Sequence, residues 1–167
     1  FVNPFIKHVI FQASSYIEQK DILRKYPNAK VEIINDGVDF SAFQNAKKKS
    51  RIEIVKKDTK IDFDKVSNIF FSMGRLHKIK GFDVLINAFE IYLQKDKNAK
   101  LIIAGGDDGM GYQLEQQILE LKLNKSVFLI GEVDFEEKKI LLSNCDYFVL
   151  ASEFESFGIV IAEALAC

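Results

Sequence analysis

The amino-acid sequence predicts an α/β protein built on an open, doubly wound parallel sheet. Strand-length apolar runs alternate with stretches of helical period, and several runs are apolar without interruption. The turns between them carry glycine and charge. Alternating strand and helix indicates right-handed βαβ units, and an unbroken apolar run suits a parallel strand covered on both faces.

Six strands are expected, over residues 8–13, 31–34, 67–72, 99–104, 127–130 and 147–150, each rich in branched or aromatic residues. Between the third and fourth, Phe82, Leu85, Ile86, Phe89 and Leu93 recur with helical period, predicting an amphipathic helix from about Gly81 to Gln94. Leu114, Ile118 and Leu121 repeat that period. Asp134-Phe-Glu-Glu137 opens a further helix with acid in its first turn, where the macrodipole favours it. Four or five crossover helices are expected in all.

The 167 residues, 48% hydrophobic and 28% charged with 9 Gly and 2 Pro, exclude a disordered or fibrous chain and are expected to form one domain spanning 1–167. Lys+Arg 23 against Asp+Glu 24 leaves a net charge of −1, so no global positive field serves nucleic-acid binding. Cys145 lies in the run Cys145-Asp-Tyr-Phe-Val-Leu150 and is expected to be a small buried hydrophobe in a reducing, cytoplasmic compartment. No apolar stretch reaches the roughly 18 residues of a membrane span. The chain starts at Phe1 and stops at Cys167 inside a helical pattern, so both ends are expected to be cut. Seven basic residues against two acidic ones between Lys47 and Lys60 read as a solvated helix or loop, or as a patch for an anionic membrane surface or partner.

Ligands of doubly wound sheets bind where strands end and helix N-termini present free N–H groups. The turn after the third strand, Gly74-Arg-Leu-His-Lys-Ile-Lys-Gly81, places a guanidinium (Arg75) and an ammonium (Lys80) just before a helix. Together they suit a diphosphate and its charge as it departs; the same residues also read as a solvated basic loop. The turn after the last strand leads into a helix expected to begin near Phe157, where the N–H groups of Phe157, Gly158 and Ile159 face a ligand and Gly158 permits close approach. Glu163 falls in an otherwise apolar stretch, where a carboxylate needs hydrogen-bond donors such as a ligand diol or a nearby loop. Glu155 reads as a ligand contact or as an acid serving the helix N-terminus.

Glu155-Ser-Phe-Gly-Ile-Val-Ile-Ala-Glu163 resembles the paired-glutamate signature of the retaining GT-B glycosyltransferases of family 4, or group 1, two Glu separated by seven residues. Gly74-Arg75 through Lys80-Gly81 is similar to that family's phosphate loop. Leu101-Ile-Ile-Ala-Gly-Gly106 and Val127-Phe-Leu-Ile-Gly131 stand in the expected places between them, and the likeness runs from about Val9 to Cys167. Two positions depart from the pattern: the usual Pro-Asn-Gly-Val-Asp stands as Asn35-Asp36-Gly37-Val38-Asp39, and Ser156 follows the first Glu where glycine is frequent.

The resemblance implies a Rossmann-like C-terminal half of a GT-B fold, with an N-terminal acceptor domain and the C-terminal end lying outside this chain. It implies retaining transfer of a sugar from a nucleotide diphosphate donor to an acceptor hydroxyl, without a metal or other cofactor. Arg75, Lys80 and Glu155 carry the chemistry by this carry-over: the first two hold the diphosphate and Glu155 contacts the donor sugar. Phe157, Gly158 and Ile159 meet phosphate or sugar through backbone amides, Glu163 takes the ribose hydroxyls, and the base lies against backbone near Gly131 to Val133. Partners are the nucleotide sugar and a glycan, lipid or other acceptor, with peripheral association of the full-length protein at the cytoplasmic membrane face. Two other readings are a nucleotide-sugar-binding module inactive alone and a nucleotide-sugar epimerase of GT-B architecture. Asp62-Phe-Asp64 has the Asp-X-Asp spacing of a metal-bound diphosphate site but precedes a strand rather than following one. Gly105-Gly-Asp-Asp-Gly109 reads as a tight turn near the donor pocket, and neither His8 nor His77 has a partner at metal-ligand spacing.

Overall fold

The computed structural model describes residues 10–34, 37–44, 55–56, 59–60, 66–155 and 157–167. They fall into two compact units, one drawn from 1–38 and 155–159, the other from 39–154 and 160–167.

The first unit is a parallel βαβ turn. Strand β1 (Ile10–Ala13) pairs in register with β2 (Lys30–Ile33). Between them runs α1 (Tyr16–Lys25). Ser15 caps that helix by accepting the Glu18 N–H, and the Glu18 carboxylate reaches back to the Ser14 N–H at 2.7 Å. Phe11 of β1 stacks on Tyr26 at the end of α1, their centroids 5.4 Å apart.

The second unit begins with the short helix α2 (Phe40–Gln44) and an antiparallel pair, β3 (Val55–Lys56) and β4 (Thr59–Lys60). Its main body is a four-stranded parallel sheet, β5 (Ile69–Met73), β6 (Lys100–Ala104), β7 (Val127–Gly131) and β8 (Tyr147–Phe148), in the order β7-β6-β5-β8. Helices α3 (Phe82–Leu93), α4 (Gly111–Glu120) and α5 (Phe135–Asn144) connect the strands, and α6 (Ile159–Ala166) follows. The chain steps outward from β5 to β7, then crosses back to the other side of β5, so the order reverses between β5 and β8.

Alternation along the strands sorts the core into two layers. Leu101 and Ile103 of β6 join Phe82, Ile86 and Phe89 of α3 with Leu114 and Ile118 of α4 in one buried cluster, and Phe70 of β5 packs against it. Phe70 meets Phe89 edge-on at 5.5 Å. The intervening Phe71 and Ile102 are also buried and belong to the opposite face. This double burial is why β5 and β6 read as unbroken apolar runs.

All six expected strands are present, and α3 lies within the expected bounds, Gly81 preceding it in a left-handed conformation (φ 62). Asp134 and Glu137 form a reciprocal capping box that starts α5. Two readings are corrected. Helix α6 begins at Ile159 rather than near Phe157, because Gly158 takes a left-handed φ of 70 that ends the turn before the helix can start. Cys145 is half-buried rather than buried, its thiol donating to the Leu142 carbonyl at 3.3 Å where α5 ends. Within the basic segment, 55–56 and 59–60 are paired strands; His8, Asn35, Asp36, Asp62, Asp64, Ser156 and the rest of the segment lie outside the described residues. Among the described residues no helix is long and apolar enough to cross a membrane.

Ile86 is fully buried between α3 and the sheet. Ile86→Ala removes three methylene-sized groups from that layer and is expected to cost about 2–5 kcal/mol, read as a lower urea midpoint; a loss below about 1 kcal/mol, on the scale of surface substitutions, overturns this placement of the core.

Candidate functional site

Ligand crevices of parallel sheets open at the carboxyl ends of the strands where the order reverses. Here that point is flanked by the turns after β5 and β8. The β5 turn runs through Gly74, Arg75, Leu76 and His77 into a single 3-10 turn, Lys78–Lys80. The His77 ring nitrogen Nδ1 accepts the Ile79 N–H at 3.2 Å and starts that turn. Gly81 ends it: a Cβ there would lie 2.2 Å from the Ala151 carbonyl oxygen, so only glycine lets the β8 turn come this close. The Glu153 N–H donates to the Ile79 carbonyl at 2.9 Å and ties the two turns together.

The turn after β6 is held against the turn after β5 in the same way. The Gly74 N–H donates to the Ala104 carbonyl at 3.0 Å and the Leu76 N–H to the Gly106 carbonyl at 2.8 Å, which extends the ladder past the ends of both strands. A Cβ at Gly105 would stand 1.8 Å from the Gly74 oxygen. Asp107 fixes the far side of that turn. Its Oδ1 accepts the N–H groups of Gly109, Met110 and Gly111 at 3.0, 3.1 and 2.7 Å, supplying the cap that Met110 lacks at the start of α4. These donors, Gly111 foremost, hold its carboxyl below the ordinary aspartate value of 3.8.

A cavity of about 510 Å³ opens at these ends, walled by Leu76, Gly105, Gly106, Leu129, Gly131 and Glu132, with Tyr112 and Glu115 of α4 beside them. Its glycine walls expose backbone, and a Cβ at Gly106 would meet Glu132 Oε1 at 2.4 Å. Leu76, Leu129 and Tyr112 give the same space apolar surface beside the backbone.

Arg75 and Lys80 share the β5 turn. The Lys80 stem lies across the turn's first residue, 3.5 Å from where a Gly74 Cβ would be. Arg75 is exposed and forms an ion pair at 2.5 Å with Asp108 of the β6 turn. Glu163 of α6 is 7% exposed, and its Oε1 is bound by Lys138 Nζ of α5 at 2.5 Å. Burial and the Glu163 charge together push up the Cys167 thiol. Glu155, Phe157, Gly158 and Ile159 belong to the stretch grouped with the first unit; Gly158 is buried, Phe157 and Ile159 are exposed. Two side chains that motif reading does not single out, Asp108 and Lys138, are the counter-ions of Arg75 and Glu163. Asp108 is visible in its glycine-rich turn; Lys138 stands 25 residues from Glu163 with no local pattern joining them. Among the described residues no group of three or more His, Cys, Asp or Glu is placed to hold a metal ion.

Residues 53–167 match the family model of glycosyl transferases group 1. The chain belongs to the group 1 glycosyl transferases. It is 33% identical over 159 residues to an uncharacterized glycosyltransferase of Methanocaldococcus jannaschii, covering 95% of this chain and 40% of that protein. It is likewise 33% identical over 174 residues, covering 99% of this chain and 43% of the relative, to the N-acetylgalactosamine-N,N'-diacetylbacillosaminyl-diphospho-undecaprenol 4-alpha-N-acetylgalactosaminyltransferase of Campylobacter jejuni. Among solved structures, Anabaena HepE in complex with UDP and glucose superposes with a TM-score of 0.69 at 22% identity, over 93% of this chain and 41% of that one. The chain thus spans less than half the length of each relative. The fold of this group 1 glycosyl transferase chain is that of the Rossmann-like C-terminal domain of GT-B enzymes.

Because the Asp107 carboxyl is held down in the folded state, the unfolded chain binds more protons in that range, and stability rises with pH there. Its contribution is complete above 3.8 and is lost as pH falls through the lowered value. Asp107→Ala is expected to lower the urea midpoint at neutral pH, the gap to the parent closing on acidification; a gap independent of pH overturns the capping role.

Proposed function

We propose that this chain is the donor-binding part of a retaining, metal-independent glycosyltransferase of family 4, which transfers a sugar from a nucleotide diphosphate sugar to an acceptor hydroxyl. The observation that carries this reading is that Arg75 and Lys80 stand on one turn at the strand-order reversal, with Leu76 of the same turn walling the glycine-lined cavity. The base occupies that cavity along Gly131 to Val133, and the diphosphate lies over the β5 turn. Displacing Asp108 from Arg75 costs little, because an exposed ion pair is worth about 0–1 kcal/mol. Phosphate oxygens then take the guanidinium fork and the Lys80 ammonium.

As the bond from the anomeric carbon to the diphosphate oxygen breaks, negative charge grows on the leaving group. Two cations brought against that charge stabilise the transition state more than the ground state, and this is the catalytic contribution of Arg75 and Lys80. Glu163 receives the ribose hydroxyls as charge-assisted hydrogen bonds. Glu155 contacts the donor sugar, and the amides of Phe157, Gly158 and Ile159 meet phosphate or sugar; these roles rest on the paired-glutamate signature. Acceptor binding is assigned to a separate domain of a longer protein, working at the cytoplasmic face of a membrane on a glycan or lipid. Support comes from the lengths of the relatives and from the name of the Campylobacter relative, which specifies a diphospho-undecaprenol acceptor.

Calorimetric titration with UDP, GDP, ADP and their sugar conjugates, first without and then with divalent metal, tests this. One nucleotide is expected to bind without metal, and Arg75→Ala and Lys80→Ala are each expected to weaken it about 10–100-fold, the worth of one charge-assisted hydrogen bond. Unchanged affinity in both variants removes the phosphate assignment, and binding only with metal removes the metal-free mechanism.

A further inference from the structure

We infer that Lys138 is a positioning residue for Glu163, holding its carboxylate oriented so that the remaining acceptor sites face the ribose diol of a nucleotide. This rests on the proposed role of Glu163.

Lys138 is the fourth residue of α5, and Glu163 lies within α6. Their side chains are 17% and 9% exposed, whereas the pairs Arg24–Asp21, Lys30–Glu32, Arg75–Asp108 and Lys139–Glu136 each keep at least one partner mostly in solvent. The ammonium is also held between two aromatic faces, 5.3 Å from the Phe135 ring centroid and 5.6 Å from that of Phe43. Those two rings meet edge-on at 5.5 Å. The Lys138 head group is therefore confined by a carboxylate and two π-faces rather than free to swing.

Stability does not account for this arrangement. Two charges removed from water lose hydration that their mutual attraction barely restores, and an apolar pair of similar volume is often at least as stable. What the pair supplies is a fixed acceptor. A carboxylate has two oxygens and about four lone-pair directions. Lys138 takes one at Oε1, and among the described residues Glu163 accepts no other hydrogen bond. Two adjacent hydroxyls need two such sites converging from one side, which a carboxylate of fixed orientation provides. Without the ammonium, Glu163 would be an uncompensated buried charge with freedom to rotate.

The readout is the ratio of affinities for a ribonucleotide and its 2′-deoxy form, measured on the chain with UDP, GDP and ADP and their deoxy counterparts, using whichever binds. The parent is expected to prefer the ribonucleotide by about tenfold or more. Glu163→Gln is expected to abolish that preference. Lys138→Met is expected to abolish it too, leaving affinity for the deoxy form within about twofold, while Lys138→Arg retains it. In the Glu163→Gln background Lys138→Met should change the ratio no further.

If Lys138→Met keeps the preference while Glu163→Gln loses it, the positioning role is wrong and the ribose role of Glu163 stands. If Lys138→Met weakens both nucleotides equally, Lys138 acts on the phosphates or on the fold, and the inference is overturned. A preference that survives Glu163→Gln, or a parent that binds none of the three nucleotides, overturns the ribose reading and this inference together. Where Lys138→Met alone does not fold, the double variant, which removes both charges, must match Glu163→Gln in ratio; any further loss overturns the proposal.

Discussion

The close approach of the turns after β5 and β6 is the constraint on which the site depends. Gly105 lies so near the Gly74 carbonyl that a methyl group has no room, and two ladder hydrogen bonds continue the sheet beyond its strands. That contact holds the turns at one separation. It sets Arg75 within reach of Asp108, turns Leu76 into a cavity wall, and leaves Asp107 at the place where it can cap α4. A side chain at Gly105 would force the turns apart and disturb all three, and a φ of 150 is itself one that residues with a side chain rarely adopt.

The charged groups of the candidate site come in two kinds of pair, and the physics of each matches a different task. Arg75 and Asp108 meet in solvent, where attraction is screened and exchange of partners is cheap. Lys138 and Glu163 meet among Phe43 and Phe135, where losing one partner strands the other. On the proposed reading, the first arrangement lets Arg75 exchange its carboxylate for phosphate, and the second keeps Glu163 in one orientation as an acceptor. Both pairs cancel charge locally, in a chain whose net charge is −1.

Much of this is legible from residues alone because it depends on local chemistry. The apolar runs mark β5 and β6 since burial on both faces leaves no polar alternation to confuse the pattern, while β1, β2 and β8 are marked by branched and aromatic residues although they are largely exposed. The period of Phe82, Leu85, Ile86, Phe89 and Leu93 marks α3, and Asp134 with Glu137 marks the start of α5, because periodicity and capping act within one or two turns. The start of α6 is not legible in the same way, since the left-handed backbone of Gly158 is a choice that glycine permits but composition does not require. The apolar neighbours of Cys145 point to burial, yet its place at the end of α5 leaves it half-covered. Lys138 as the partner of Glu163 leaves no signal, because the pairing follows from where α5 and α6 come to lie, not from spacing. Asn35 and Asp36, where the sequence departs from the family pattern, lie outside the described residues.

The strand order also sets a hierarchy of persistence within the sheet. β5 and β6 share five residue pairs and are joined through a single helix, while β8 meets β5 through two pairs, helped by the Asp146 carboxylate accepting the Ile69 N–H from 77 residues away. Local opening draws on the weakly held parts of a fold. The β8 edge is therefore the more lightly paired side of the sheet, with two residue pairs against the four that join β6 to β7. The crevice at the strand-order reversal is thus bounded by one firmly paired strand and one lightly paired one.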